Sequence, residues 1–583
     1  MRIAPSIFVA SAVALALSAC TSKPAPENVQ WLTPAIETFA NWEKASDAQH
    51  DIVLAYYAQP KSIALRLANG EVQTLVDGST SESAPSGLAV AVGPKDSATL
   101  WRDKFPSKGL FLKHGNANPV ELGEGTEPLA RFMVAADGDA WHSLWYGEKP
   151  VADSQNKYYL YYRHLDANDQ KGTTERLLPG FYPQWIVGAA GEVAVFSWDN
   201  TQTPPKIMMR VRDAASGDFS EASVVSKTTD NIPPLLKTFR VGARWFVVWM
   251  NQGGDKGIDF SLQGAWSDDK GAKWERFDVP ELTGFDVTEL NIAGDEASGN
   301  MVMAVSGSWR FVTEGSKSIF YVVRSTDRGA TWLKPEMLRE NSANADSSAG
   351  KAQVAFGTEP GSVWLVWEDW RDVRPRMFFA YSSDFGANWS HKNLPLAEQP
   401  QGGNLLHPAK VAMGINPKGL YYVAANVVND SFKEEKLFAQ QLNAPLAERS
   451  AKEYAQRPVG DEKTLKRRVD EYWQAMRDSK YDASYPLLDP FMRSQWNFDM
   501  YKQRMGRVKY TAHTIEAVDI RGNLADVRVK ITGSVPKFML NGREVSAPER
   551  TAEINERWLF IDGAWFREYA EESSSIKFTQ YNK

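Results

Sequence analysis

Three copies of one short motif constrain this chain more than any other feature. They are Ser267-Asp268-Asp269-Lys270-Gly271-Ala272-Lys273-Trp274, Ser325-Thr326-Asp327-Arg328-Gly329-Ala330-Thr331-Trp332 and Ser382-Ser383-Asp384-Phe385-Gly386-Ala387-Asn388-Trp389. All read Ser-x-Asp-x-Gly-x-x-Trp, and their starts lie 58 and 57 residues apart. A fixed period of this size marks a repeat architecture. The copies follow β-rich runs such as Phe320-Tyr321-Val322-Val323 and Met377-Phe378-Phe379-Ala380. The chemistry suits a tight hairpin: Asp bonds backbone N–H groups across the turn, Gly supplies a positive φ, and Trp covers the turn with apolar area. Ser267, Asp269, Gly271, Trp274, Ser325, Asp327, Gly329, Trp332, Ser382, Asp384, Gly386 and Trp389 are therefore expected to fasten structure.

From about residue 50 to 446 the pattern is strand, turn, strand, without a convincing amphipathic helix. Six stretches each show four candidate strands. The clearest has Ala352–Gly357, Val363–Trp367, Met377–Ser382 and Trp389–Leu394, and the same order can be traced from Thr288, Leu235, Pro183, Arg131 and Gly87. Partial units, Ile52–Val76 and Lys410–Leu442, flank the six. The motif resembles the Asp-box of sialidase-like β-propellers, and that resemblance covers roughly residues 50–445. It implies an all-β propeller in which the boxes lie on the face away from the active site. Joining the two partial units into one blade gives seven blades, the expectation adopted here; six and eight are the alternatives.

The chain has 583 residues, too many for one compact core. A formal charge of −6 gives no basic footprint for nucleic acid. The single cysteine excludes an intrachain disulfide. The seven histidines are scattered, with no HxxxH-type pair, so neither a metal nor another cofactor is expected.

Met1-Arg2 and the apolar run from Ile7 to Leu17 have the form of a secretory signal over residues 1–19. Leu17-Ser18-Ala19-Cys20 resembles the bacterial lipobox, which implies cleavage before a lipidated Cys20 and a tether reaching residue 49. Thr21 stands where Asp would direct retention in the inner membrane, so the resemblance implies delivery to the outer membrane.

At the other end, 447–460 reads as a polar linker. Asp461–Ser479 then has helical spacing in Leu465, Val469, Tyr472, Trp473 and Met476. Further helices are expected over 482–492 and 499–505, followed by strands at Tyr510–Ile520, Leu524–Gly533, Arg550–Ile561 and Trp565–Tyr569. This order resembles the NTF2-like cone fold, implying a small α+β domain over 461–583 of a kind often non-catalytic.

If the boxes mark one face, hairpins between the two middle strands of each blade open on the other. A Trp ends the preceding strand in several of them. Trp198, Asp199, Trp249, Trp309 and Arg310 belong to this set, with Trp367, Asp369, Trp370, Arg371 and Arg374 concentrated in one charged hairpin. Indoles with bidentate Arg and carboxylates suit carbohydrate or anionic ligands. A working sialidase needs a Tyr nucleophile and an Arg cluster on the substrate carboxylate. The family's Phe/Tyr-Arg-Ile-Pro motif is not found, and Leu65-Arg66-Leu67 is no match. The expected function is therefore envelope-anchored binding of a glycan or protein partner without catalysis. The alternative is a diverged sialidase-like glycoside hydrolase.

Overall fold

The computed structural model describes residues 29–569, apart from 38–40, 60, 79–84, 104–108, 124–125, 149–157, 167–171, 189–190, 227–234, 254–258, 310–317, 340–347, 373, 397–410, 428–433, 506–507, 541–542 and 562. Cys20 and the signal segment lie outside these residues. The described chain is nearly all β, arranged as many small antiparallel sheets.

Eight of these sheets lie between residues 29 and 441, and seven have their strands in simple chain order. Their first strands are Trp42–Ala45, Pro85–Val92, Glu127–Asp137, Phe181–Val187, Leu236–Val241, Phe285–Gly294, Ala349–Phe356 and, for the eighth sheet, Ala412–Asn416. Each of these strands packs on the next along the chain. The last meets the first: Lys44 Nζ donates to Met413 O at 2.6 Å and Ser46 Oγ to Ile415 O at 2.6 Å. The sheets thus form a closed, propeller-like ring.

The two partial units do not merge into one sheet, which corrects the seven-unit expectation. Trp42–Val76 forms the first sheet. The eighth comprises Ala412–Asn416, Gly419–Val427 and Glu434–Gln441, with Val29–Trp31 as its outer strand. Val29 pairs with Gln440 and Trp31 with Phe438. The described residues of 29–45, expected to be tether, are largely strand instead. The reason is apolar area. Trp31 packs edge-on to Phe438, while Leu32, Ile36 and Trp42 are buried with Leu54, Tyr56, Tyr421 and Leu437.

Middle strands are covered on both faces by neighbouring sheets, so they read as continuous apolar runs rather than alternating ones. Val193–Asp199 is buried at every residue. Between the fifth and sixth sheets, Phe246 and Leu262 pack with Phe285 and Met303. Between the seventh and eighth, Trp364 and Phe379 pack with Tyr422 and Phe438.

The three boxes have one geometry. Ser325 Oγ donates to Asp327 Oδ1 at 2.7 Å and accepts from the Gly329 N–H at 2.8 Å, and the Thr331 N–H donates to Asp327 Oδ1 at 2.9 Å. The same bonds recur at Ser267/Asp269 and Ser382/Asp384. Gly271, Gly329 and Gly386 have φ of 85°, 77° and 77°. A Cβ on Gly329 would come within 2.7 Å of Phe246 in the preceding sheet, and one on Gly271 within 2.6 Å of Met209. Trp274 packs on Phe196 and Trp332 on Phe277, again in the preceding sheet. Each box therefore closes its own turn and fastens that sheet to the one before it.

A helix, Ala444–Ala455, replaces much of the expected linker. Asn443 caps it through the Leu446 N–H, and Leu446 and Ala447 are buried against the last two sheets. Beyond it, Asp461 caps the helix Glu462–Arg477, whose Leu465, Val469, Tyr472, Trp473 and Met476 are buried against a separate four-stranded meander, residues 509–567. The expected helix over 482–492 is broken into Tyr481–Ser484, a 3-10 turn Tyr485–Leu487, and Pro490–Gln495, as the two prolines require. A buried carboxylate, Glu556, accepts from Trp473 Nε1 at 3.1 Å, Trp558 Nε1 at 3.0 Å and Arg567 Nε at 2.8 Å.

Ser325→Ala is expected to lower stability by about 1–3 kcal/mol, because it strands the buried Gly329 N–H. Asp327→Ala should cost about 1 kcal/mol or less, since its carboxylate is exposed. Burial opposes ionisation of Asp327, yet bonds from Thr331 and Ser325 outweigh it and hold the pKa below the usual value. Its stabilising effect is thus complete above the ordinary Asp pKa of about 3.9 and fades as pH falls through the depressed folded value. Urea midpoints of both variants at pH 7 and pH 3 check the order and the sign.

Candidate functional site: the mouth opposite the boxes

In an antiparallel meander, the turn between strands one and two opens at the same end as that between strands three and four. The boxes occupy the latter, so the starts of the innermost strands lie at the opposite end. Five of these strands lose register there, between Ser86/Leu88, Pro128/Phe132, Phe181/Gln184, Val287/Glu289 and Gly350/Gln353. Bulges of this kind re-aim side chains and gather beside functional sites. Tyr182 and Lys351 sit within them at φ of 54° and 55°, left-handed conformations that cost a residue with a Cβ about 1–3 kcal/mol.

Side chains at four of these bulges, with Lys237 of the regular strand Leu236–Val241, form one connected group. The Arg131 guanidinium lies over the Tyr182 ring at 5.1 Å. Gln353 Nε2 donates to Glu289 Oε1 at 3.4 Å. Burial pushes the Glu289 carboxyl up, with Lys351 and Lys237 opposing. Burial also pushes Lys237 down; Glu289 opposes that shift and Arg131 adds to it. Lys351 is likewise lowered by burial, against the pull of Glu368 and Glu289. Five sheets thus contribute to one patch of cations, a carboxyl and a phenol, with Arg131 exposed and the rest half-buried. Side chains of adjacent sheets hold the bulged backbone. Ser306 Oγ accepts from the Ala352 N–H at 3.2 Å, and Asn291 Oδ1 from the Val354 N–H at 2.8 Å.

Beside Lys351 lies the charged hairpin. Asp369 is fully buried and accepts from the Arg371 N–H at 2.9 Å, Arg371 Nη2 at 2.5 Å, Trp367 Nε1 at 3.1 Å and Arg339 Nη2 at 3.3 Å. Arg339 Nε also stands 3.2 Å from Asp369 Oδ2, and Arg371 lies over the Phe378 ring at 4.4 Å. Two guanidinia thus share one carboxylate. Burial works against the charged form of Asp369, but the Arg371 and Arg339 partners hold its pKa below the ordinary range.

The expected ring of open indoles is corrected. Trp198, Trp249 and Trp367 are 3%, 0% and 0% exposed and pack between sheets, so they present no face to a ligand. Trp309 is half-buried, with Nε1 donating to Tyr321 Oη at 3.1 Å. Asp199 is buried and caps its own hairpin through the Thr201 N–H, Thr201 Oγ1 and Gln202 Nε2. Arg371 and Asp369 pair with each other. Arg310 and the side chains of Trp370 and Arg374 lie outside the described residues. Arg131, Tyr182, Lys237, Glu289 and Lys351 were missed by sequence reasoning. Their one signal is a charged or aromatic residue near the start of an otherwise apolar inner strand, which does not by itself reveal a bulge.

A cavity of about 930 Å³ lies elsewhere, over the exposed face of the helix Glu462–Arg477, bordered by His513. Its polar groups partner one another, as in the Lys466–Glu462 ion pair at 2.6 Å and the His513 Nε2–Asp470 Oδ1 contact at 3.0 Å. It has the character of a solvated helix face.

No family model and no curated protein matches the chain. Among solved structures, its neighbours are sialidases and other glycoside hydrolase or polysaccharide lyase folds, at low identity. Polysaccharide lyase Uly1 is 11% identical with a TM-score of 0.38, over 62% of this chain and 91% of that one. A protein of unknown function from Dyadobacter fermentans is 11% identical with a TM-score of 0.32, over 55% and 96%. Trypanosoma rangeli sialidase is 10% identical with a TM-score of 0.31, over 71% and 61%. Likeness at this level says nothing about chemistry, which has to be read from the residues of the mouth.

Asp369→Ala leaves two buried guanidinia facing each other without their carboxylate. A loss of about 3–5 kcal/mol is expected, the cost of breaking a buried ion pair from one side. Urea unfolding of the variant at neutral pH measures it.

Proposed function

We propose that this protein is a lipid-anchored envelope protein whose ring acts as an eight-bladed, sialidase-like propeller binding an acidic glycan at its mouth. The observation that carries the reading is the patch formed by Arg131, Tyr182, Glu289 and Lys351 at inner-strand bulges, with Lys237 on the regular inner strand among them. Cations on a strained, pre-set backbone favour a carboxylate-bearing ligand, because little ordering remains to be done on binding. An aromatic ring beside a guanidinium suits a sugar face. The mouth is a binding site, and the C-terminal domain is an NTF2-like module without chemistry of its own. Helices first, a meander sheet after, and a core closed round one long helix support the latter.

A second reading has its own support. Glu289 is pushed up while Lys351 and Lys237 are pushed down within one patch, which is how acid–base pairs are tuned. On that reading the protein is a diverged glycoside hydrolase.

Both are tested with an oligogalacturonate and a neutral oligosaccharide of equal length. The parent should bind the acidic one preferentially, with affinity falling as salt rises. Lys351→Gly should weaken binding at least about tenfold, or 1.4 kcal/mol. It should melt no earlier than the parent, because Gly relieves the left-handed backbone. Equal binding by parent and variant would sink the site, and release of product from the oligosaccharide would favour the hydrolase.

The anchor is tested separately. Cys20→Ser should move the protein from the membrane pellet to the soluble fraction, and palmitate should label the parent alone. Full pelleting of the variant, with no label on the parent, removes the lipoprotein reading.

A further inference from the structure

At the box-side end of the third sheet, Asp137 ends the first strand, His142 lies near the start of the second, and His164 near the end of the third. His142 and His164 are directly opposite in register, with rings 5.1 Å apart. We infer that Asp137, His142 and His164 form a binding site for a divalent transition-metal ion of the zinc type.

The distances carry the argument. Asp137 Oδ2 lies 3.4 Å from His142 Nε2 and 3.5 Å from His164 Nε2. Both contacts are long for hydrogen bonds, and both imidazole Nε2 atoms are buried without a hydrogen-bond partner. They match the edge of a coordination tetrahedron: ligand atoms about 2.0–2.1 Å from zinc stand about 3.3–3.4 Å from one another. All three donor atoms lie within 4.8 Å of one another. Two imidazoles and a carboxylate are a zinc donor set, and they leave a fourth position for water.

The surroundings fit. His142 is fully buried and its Nδ1 is 2.6 Å from Tyr162 Oη, itself buried. When Nδ1–H donates to that oxygen, the Nε2 lone pair is fixed towards the metal position, as an outer partner does in metal sites. Gly191 leaves the necessary room, since a Cβ there would stand 2.7 Å from Asp137 Oδ2. Asp137 and His164 are part-exposed, at 22% and 29%, so an ion has a way in. Arg212 supplies the adverse charge nearby. Its Nη1 donates to Gly191 O at 2.8 Å, and Asp166 near His164 acts against it. An ion here would clip three strands of one sheet at their box-side end.

The full chain without an affinity tag is stripped with EDTA and titrated with zinc, then with cobalt(II). About one equivalent should bind, with visible cobalt bands of four-coordinate strength and a higher melting temperature in zinc. Asp137→Asn and His164→Asn, both at part-exposed positions, should melt like the stripped parent without zinc. They should bind at least about tenfold more weakly and lose the zinc-dependent rise. No binding by the parent would overturn the assignment, as would parent-like binding by both variants.

Discussion

Closure of the ring is the constraint on which the rest of this structure depends. Each small sheet buries both faces against neighbours, so an open ring would leave two large apolar faces in water. The chain closes it by carrying Val29–Trp31 back to the strand Glu434–Gln441 and by packing Leu32, Ile36 and Trp42 between the first and last sheets. Backbone hydrogen bonds and indole burial at the junction bring together residues some four hundred positions apart. No sheet in the ring has enough core to persist alone, and closure also shields sheet edges that would otherwise pair with other chains.

The two ends of the ring divide the labour. At one end the boxes satisfy their own turns and press Gly and Trp onto the preceding sheet, which leaves little room for variation. At the other, the inner strands break register five times and hold Tyr182 and Lys351 in costly backbone conformations. Such strain persists only where the surroundings over-determine it. At Lys351 they do so through Ser306 and Asn291, which hold the backbone at Ala352 and Val354 from the neighbouring sheet.

Buried charge follows one pattern in both parts of the molecule. Asp369 in the ring and Glu556 in the C-terminal meander are carboxylates held by indole N–H groups and guanidinia together. Neither is stable without those donors, since an isolated carboxylate loses its hydration on burial. Asp369 differs in having two guanidinia, Arg339 and Arg371, against one.

The sequence by itself determined the repeat, the box turns and the order of strands. Those depend on local chemistry: Ser and Asp reaching backbone N–H groups a few residues away, Gly at positive φ, and apolar runs long enough for covered strands. It also determined the capped helix Glu462–Arg477, whose apolar spacing and Asp461 cap are local. Tertiary structure alone decided the number of sheets, because Val29–Trp31 carries no mark of its distant partner. Only the fold could show that Trp198, Trp249 and Trp367 are covered, since burial depends on the neighbouring sheet and not on the hairpin. It also decided which charges meet. His142 and His164 are scattered in sequence, yet cross-strand register sets them side by side with Asp137. Arg131, Tyr182, Lys237, Glu289 and Lys351 lie on five strands and meet only because successive inner strands pack side by side.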